Sequence, residues 1–387
     1  MRPSFGSVCA RRMPVRRVAA PRFVAQLRGY AQVQERGSPI KEPMKLSGAL
    51  KGYNQFLVTP TAGTEFTNAN LTEWVNAPNS DELLRDLAIT VARRGVVFFR
   101  KQNDMTTDVQ KKLIQRMGEL TGKPSTSTLH IHPVLNPERD LGGNDLEIST
   151  ISSRQRKSHF GKHDGKVIGG KRQQIEAWHS DIQLEPVPSD FTCLRLSELP
   201  SCGGDTLWAS GYEVYDRLSP SMQKFLEQFT ANYDAPFFTD IAKKAGLKLY
   251  DKARGSPENI GEIVSTEHPV VRTNPVTGWK SIFALGAYPK SINGLSQEES
   301  EMLLNFLMEF VYRNHDLQVR FRWQNPNDMA IWDNRSMVHN ATLDYDDYGE
   351  RFGYRVCGIG EKPYFDPNSM SRREALKLEA KKVEASV

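Results

Sequence analysis

The chain has 387 residues, 39% of them hydrophobic, and a formal net charge of +5. That length can bury a large core, and no apolar run approaches the roughly 18 to 20 residues needed to span a bilayer, so no membrane partner is expected. Seven of the 51 basic residues lie in an acid-free stretch, residues 1–30; without it 44 basic face 46 acidic residues, and no nucleic-acid partner is expected.

That leader holds Arg2, Arg11, Arg12, Arg16, Arg17, Arg22 and Arg28, with small residues and "APRFVAQL" between them. Its composition is that of a mitochondrial transit peptide, and "RGYA" at 28–31 fits a matrix-protease cut after Tyr30, so a mitochondrial location is expected. Cys9 lies in the leader, and Cys193, Cys202 and Cys357 contain no CxxC pair, which excludes a disulfide framework and a cysteine zinc site. Asn-x-Ser/Thr triplets at Asn70, Asn334 and Asn340 read as coincidence rather than glycosylation sites.

Downstream, "DELLRDLAITVARRG" (81–95) has helical periodicity ending at a glycine, and "VVFFR" (96–100) reads as a buried strand. "MTTDVQKKLIQRMGELTG" (105–122) is a second amphipathic helix. Residues 141–175 are polar and glycine-rich, expected as a mobile insertion or lid whose His159 and His163 are solvated. In "LSPSMQKFLEQF" (218–229) Ser219 is the expected N-cap and Pro220 the first helical residue. Ser296 and Glu299 form a capping box opening a long helix in "LSQEESEMLLNFLMEFVYRN" (295–314). Between helices, "FTCLRLSEL", "VVRTN", "KSIFAL", "VRFRW", "MAIWDN" and "RFGYRVCGI" are short, turn-bounded strands, which point to an antiparallel sandwich or jelly roll decorated by helices. One domain over 45–365 is expected, followed by a charged tail at 366–387.

The chemistry gathers around "EAWHSDIQLEP" (176–186). A His-x-acid triplet is expected about once here from composition alone, so His179 and Asp181 need support from elsewhere. On a strand the two would share a face. Two imidazoles and a carboxylate on one face of an octahedron suit non-haem Fe(II) and leave three positions open. His339, in "AIWDNRSMVHNATLDY" (330–345), is the candidate third ligand. In "ERFGYRVCG" (350–358), Arg351 and Arg355 fall on one face of an expected strand, and such a face must meet water or anions. Residues four apart on a strand lie about 13 Å apart, enough for two separate anions. A guanidinium forks a carboxylate, so Arg351 suits the distal carboxylate of a dicarboxylic cosubstrate. Thr206, after the Gly203-Gly204 turn of "LPSCGGDTLW", offers its hydroxyl to the same group.

In order along the chain, "LHIHPV" (129–134), "WHSDIQLEPVPS" (178–189), "ELPSCGGDTLWAS" (198–210), "RTNPVTG" (272–278), "WDNRSMVHNA" (332–341) and "RFGYR" (351–355) resemble the taurine catabolism dioxygenase family of Fe(II)- and 2-oxoglutarate-dependent oxygenases. The helix and strand at 81–100 fit the family too, whereas the leader and residues 141–175 lie outside the resemblance. It implies a mainly β fold with flanking helices around a double-stranded β-helix (jelly roll) core. It further implies His179, Asp181 and His339 as iron ligands, and Thr206 and Arg351 as the 2-oxoglutarate site. In the sulfonate-using branch, His132 and Arg355 are similar to the pair that grips the sulfonate, and Ile182, Leu184 and Tyr288 complete the implied substrate wall. Two departures stand out: the taurine-handling tyrosine after "HPV" is Leu135, and an asparagine four residues before the metal histidine is Ile175. A more apolar sulfonate, or a broader range of them, is therefore expected.

The implied reaction is hydroxylation of a small anionic substrate, an alkyl sulfonate such as taurine, with 2-oxoglutarate and O2 as cosubstrates and succinate and CO2 as products. The hydroxylated sulfonate would collapse to an aldehyde and sulfite. Asp181 retains the carboxylate that a halogenase-like variant lacks. The alternatives are an oxygenase of the same fold acting on a carboxylic acid, a sulfate ester or a carnitine precursor, and a non-catalytic jelly-roll binding protein. The carnitine-pathway relatives carry a cysteine-rich zinc-binding N-terminal region that this chain lacks, and a scaffold has no use for two inward cations. A homo-oligomer is left open by the sequence.

Overall fold

The alternation of side chains along Val96–Phe99 shows how the centre is built. Val97 and Phe99 pack with Leu84, Leu87, Ala88 and Val91 of the helix Ser80–Arg94 and with Leu113, Ile114 and Met117 of the helix Thr107–Leu120. Val96 and Phe98 point the other way, onto Trp208, Val319, Phe321 and Met337. Every residue of this strand is buried because both faces are covered, which is why it reads as an unbroken apolar run. Phe98 stacks on Phe321 with ring centroids 4.2 Å apart and meets Trp208 edge-on at 5.5 Å.

These contacts join two β-layers in a computed structural model that describes residues 42–133, 145–160, 178–234, 249–261 and 265–385. The larger sheet has seven strands in the order Gln55–Leu57, Thr64–Phe66, Val96–Phe99, Asp328–Asp333, Ser189–Glu198, Phe352–Ile359, Ser149–Ser152. Its pairings are antiparallel except for Thr64–Phe66 against Val96–Phe99. A smaller sheet sets Thr206–Ser210 between Gln318–Phe321 and Met337–Ala341. The Leu194, Leu196, Ala330 and Trp332 side chains of the larger sheet close the core against it. The protein is thus mainly β with flanking helices.

The local expectations hold with small shifts of boundary. Ser219 caps Pro220–Leu226 by accepting from the Met222 N–H, and both bonds of the Ser296/Glu299 capping box are present. Arg372–Glu384 in the charged tail is a helix with no buried residue. Asn334 and Asn340 are buried, and the Asn70 side chain is spent capping Leu71–Asn76, so none of the three triplets offers a free asparagine.

Two expectations need correction. "WHSDI" is not a strand: His179 makes an isolated bridge with His339, and the chain turns from Asp181 onward. Within 141–175, Ser149–Ser152 is the edge strand of the seven-stranded sheet and leads into the helix Ser153–Phe160, so this part belongs to the fold. The leader, Leu135, His163 and Ile175 lie outside the described residues.

Candidate active site

The strand Met337–Ala341 of the smaller sheet carries His339, and the bridge brings His179 to it: each residue's N–H donates to the other's carbonyl, at 3.0 and 2.8 Å. Gly286 makes this approach feasible. At φ +95°, a Cβ there would lie 2.6 Å from Trp178 O and 3.0 Å from the His179 Cα, so only glycine lets Leu285–Ala287 lie against the ligand backbone. The next turn places Ile182 at φ +62°, a conformation that β-branched residues rarely adopt, immediately after Asp181.

Asn334 fixes Asp181. Its Oδ1 accepts from the Asp181 N–H (3.0 Å) and Trp332 Nε1 (3.0 Å), and its Nδ2 donates to Thr192 Oγ1 (2.8 Å) and Ser189 Oγ (3.1 Å). The result is convergence without a strand: ligand atoms of His179, Asp181 and His339 all lie within 4.8 Å of one another. Asp181 Oδ1 is 3.8 Å from His179 Nε2, and Oδ2 is 3.9 Å from His339 Nε2.

The donor set fits a divalent metal. Asp181 Oδ2 is buried with no hydrogen-bond partner, a cost of roughly 1–3 kcal/mol that a cation among the three donors would remove. Burial alone would raise the Asp181 carboxyl, but the Arg355 guanidinium and the two histidines bring it below the usual range, so it stays ionised. Burial pushes His339 down to about 3, leaving the neutral imidazole that a metal requires.

A second polar cluster surrounds Arg351, which is 3% exposed. Its Nε donates to Gly204 O (3.1 Å) and its Nη2 lies 3.4 Å from Thr206 Oγ1; no carboxylate pairs with it among the described residues. Gly203 and Gly204 are successive left-handed residues, at φ +77° and +70°. A Cβ on Gly204 would sit 3.1 Å from the Arg351 Cδ, so the expected turn also makes room for the arginine stem. A buried guanidinium beside a hydroxyl is a receptor for one carboxylate.

Arg355 departs from the expected picture. The strand shifts register between Phe352 and Gly353, and while Arg351 reaches the Thr206 end, Arg355 Nη1 donates to Asp181 Oδ1 at 2.7 Å. Its Nε is buried and unpartnered, so one donor edge remains for another acceptor. A cavity of about 210 Å³ opens beside it, lined by His132, Ile182, Leu184, Tyr288, Arg355, His179 and Asp181 together with His130, Pro133 and Glu185. All five residues expected to contact substrate therefore share one cavity, whereas Thr206, Arg351 and His339 do not line it. A larger cavity of about 300 Å³ lies between residues 46–57 and the helix Ser80–Arg94, away from these groups. Its Asp86 is occupied by the backbone N–H groups of Ser47, Gly48 and Ala49.

Sequence reasoning missed Asn334, His130 and the buried Glu185–Arg254 pair. Asn334 left a signal, lying five residues before His339 in a quoted motif, but its side chain's partners come from three separate stretches of chain.

The model of the taurine catabolism dioxygenase TauD, TfdA family matches residues 55–357. This chain belongs to that family. It is 48% identical over 344 residues to the alpha-ketoglutarate-dependent dioxygenase btcD of Neocamarosporium betae, covering 87% of this chain and 99% of the relative. It is 32% identical over 312 residues to the alpha-ketoglutarate-dependent sulfonate dioxygenase of Saccharomyces cerevisiae, covering 80% and 67%. A taurine dioxygenase crystal structure from Burkholderia xenovorans superposes with a TM-score of 0.60 at 24% identity, covering 82% of this chain and 94% of that one, which shows a shared fold. This TauD-family member is an alpha-ketoglutarate-dependent dioxygenase, with Fe(II) as cofactor and 2-oxoglutarate and O2 as cosubstrates.

Proposed function

We propose that this enzyme hydroxylates a small alkyl sulfonate, on a double-stranded β-helix core, and releases an aldehyde and sulfite. The observation that carries the reading is Arg355: a half-buried guanidinium on the cavity wall, with a buried, unmet Nε and with His132 in the same wall. Such a pair suits a tetrahedral anion held next to the metal ligands. The alpha-ketoglutarate-dependent sulfonate dioxygenase of Saccharomyces cerevisiae, at 32% identity, supports the substrate class.

His179, Asp181 and His339 would hold Fe(II), which when bound supplies the activation of O2 coupled to decarboxylation of 2-oxoglutarate. Thr206 and Arg351 bind the distal carboxylate of 2-oxoglutarate and thereby set its keto acid end toward the ligand triad. Asn334 holds the Asp181 backbone in place. Arg355 and His132 hold the sulfonate, so the carbon bearing it is the one presented for oxidation. Ile182, Leu184 and Tyr288 exclude water around that carbon, which keeps the oxidation on the substrate. Once hydroxylated, the carbon carries both hydroxyl and sulfonate; loss of the hydroxyl proton and of the C–S bonding pair to sulfur gives aldehyde and sulfite.

The test is succinate and sulfite formation from Fe(II), 2-oxoglutarate and a panel of alkyl sulfonates, sulfate esters, carboxylic acids and quaternary-ammonium compounds. Sulfite release from a sulfonate is expected. Stimulation by carboxylic or quaternary-ammonium compounds alone would remove the sulfonate assignment. We also propose import of residues 1–30 as a mitochondrial leader, tested by incubating the full chain with isolated mitochondria and looking for cleavage after Tyr30.

A further inference from the structure

One part of the cavity wall carries a polar group that neither the metal triad nor the anion pair uses. His130 is 4% exposed, and its backbone N–H is fixed to Cys357 O at 2.9 Å. It lines the cavity, and its Nε2 is buried without a hydrogen-bond partner. The neighbouring acid, Glu185, lies 3.9 Å from that nitrogen, beyond hydrogen-bond reach. Both Glu185 oxygens are forked by the fully buried Arg254, which is itself held by Tyr250 O and Gly261 O at 2.9 and 2.8 Å. The pair is therefore anchored and cannot swing over to satisfy the histidine. Burial above all, with Arg355 and Arg254 adding to it and Glu185 opposing, holds His130 below its usual pKa. At neutral pH it is an uncharged imidazole, with one ring nitrogen a donor and the other an acceptor.

We propose that His130 is a specificity-determining residue that, with Glu185 beside it, selects substrates carrying a hydroxyl group away from the anionic head. A hydroxyl oxygen placed between Nε2 and Glu185 can donate to one and accept from the other, whereas a methyl leaves Nε2 unmet and a second carboxylate is repelled by Glu185. The His130 and His132 rings lie 6.4 Å apart, so adjacent histidines of "LHIHPV" meet the two ends of a short substrate. The inference rests on the sulfonate reading above.

The experiment uses isosteric pairs: 2-hydroxyethanesulfonate against 1-propanesulfonate, and 3-hydroxypropanesulfonate against 1-butanesulfonate. Binding to the full chain loaded with Mn(II) and 2-oxoglutarate is measured by calorimetry without O2, for wild type, His130→Leu and His130→Asn. Wild type should prefer the hydroxylated member of at least one pair by roughly threefold to tenfold, the worth of one hydrogen bond. His130→Leu should erase the preference and His130→Asn keep part of it, with 2-oxoglutarate affinity in both variants verifying that the site is intact. Equal binding of both members by wild type would overturn the proposal. So would an equal loss for every sulfonate in His130→Leu, which would make His130 part of the anion grip. If 2-oxoglutarate binds and no sulfonate does, the sulfonate reading falls and this inference with it.

Discussion

Replacing Asn334 with alanine should damage both the fold and the metal site, by amounts that follow from its shorter bonds. Two of them satisfy donors that stay buried in the variant, the Asp181 N–H and Trp332 Nε1. Each orphaned buried donor costs roughly 1–3 kcal/mol, while the Thr192 and Ser189 hydroxyls lose only an incoming donor and stay bonded to each other, so a total near 3 kcal/mol is expected if one water enters the gap. Urea unfolding of the chelator-treated protein reads this term without any contribution from metal. Asp181 then loses the anchor that aims its carboxylate, and groups of this kind are worth about 10- to 100-fold in metal affinity. Competition against a chromophoric chelator measures that second loss. A variant less than about 1 kcal/mol weaker in urea, with unchanged metal affinity, would refute the account of Asn334 as the post that holds Asp181.

Arg351→Met should weaken 2-oxoglutarate binding by about 10- to 100-fold, as expected for a lost charge-assisted fork, while metal affinity measured without cosubstrate stays near wild type. Gly286→Ala should displace the Trp178–His179 backbone, since its Cβ would lie 2.6 Å from Trp178 O; metal affinity should fall even though no ligand is changed. His268 is buried, bonded through Nε2 to Glu185 O at 3.0 Å, and pushed down to about 3 by burial and by Arg272. The folded state refuses a proton that the unfolded chain accepts below about pH 6.5, so stability is complete above that pH and falls toward pH 3 by about 1.4 kcal/mol per unit from this residue. His268→Gln should flatten urea-derived stability against pH between 6 and 4, and an unchanged slope would exclude His268 as a source of acid lability.

Much of this molecule could be read from sequence where the signal was local. The capping box at Ser296, the Pro220 helix start and the doubly buried Val96–Phe99 strand each depend on a few adjacent residues, and each appears where expected. His179 and Asp181 were expected to converge for the wrong geometric reason. Strand alternation would have sufficed, but the chain instead uses a bridge, a glycine contact and a strained Ile182 to aim both side chains at one point. The Asp181–Arg355 ion pair was illegible because its partners lie 174 residues apart and meet only when the turn after His179 folds over the strand Phe352–Ile359. Ser149–Ser152 was hidden by its composition: as an edge strand it is only partly covered, and Ile151 is its one apolar residue, too little for a strand pattern.

The separation between the Thr206–Arg351 cluster and the His130–Tyr288 cavity has a pharmacological consequence. Under the proposed assignment, compounds that imitate 2-oxoglutarate address the Arg351 guanidinium and the Thr206 hydroxyl, which bind the cosubstrate and not the substrate. A ligand confined to the cavity would meet His130, Glu185 and Ile182, the residues on which the proposed substrate selection rests. Its inhibition would not be relieved by raising 2-oxoglutarate, and selectivity among relatives would be gained there.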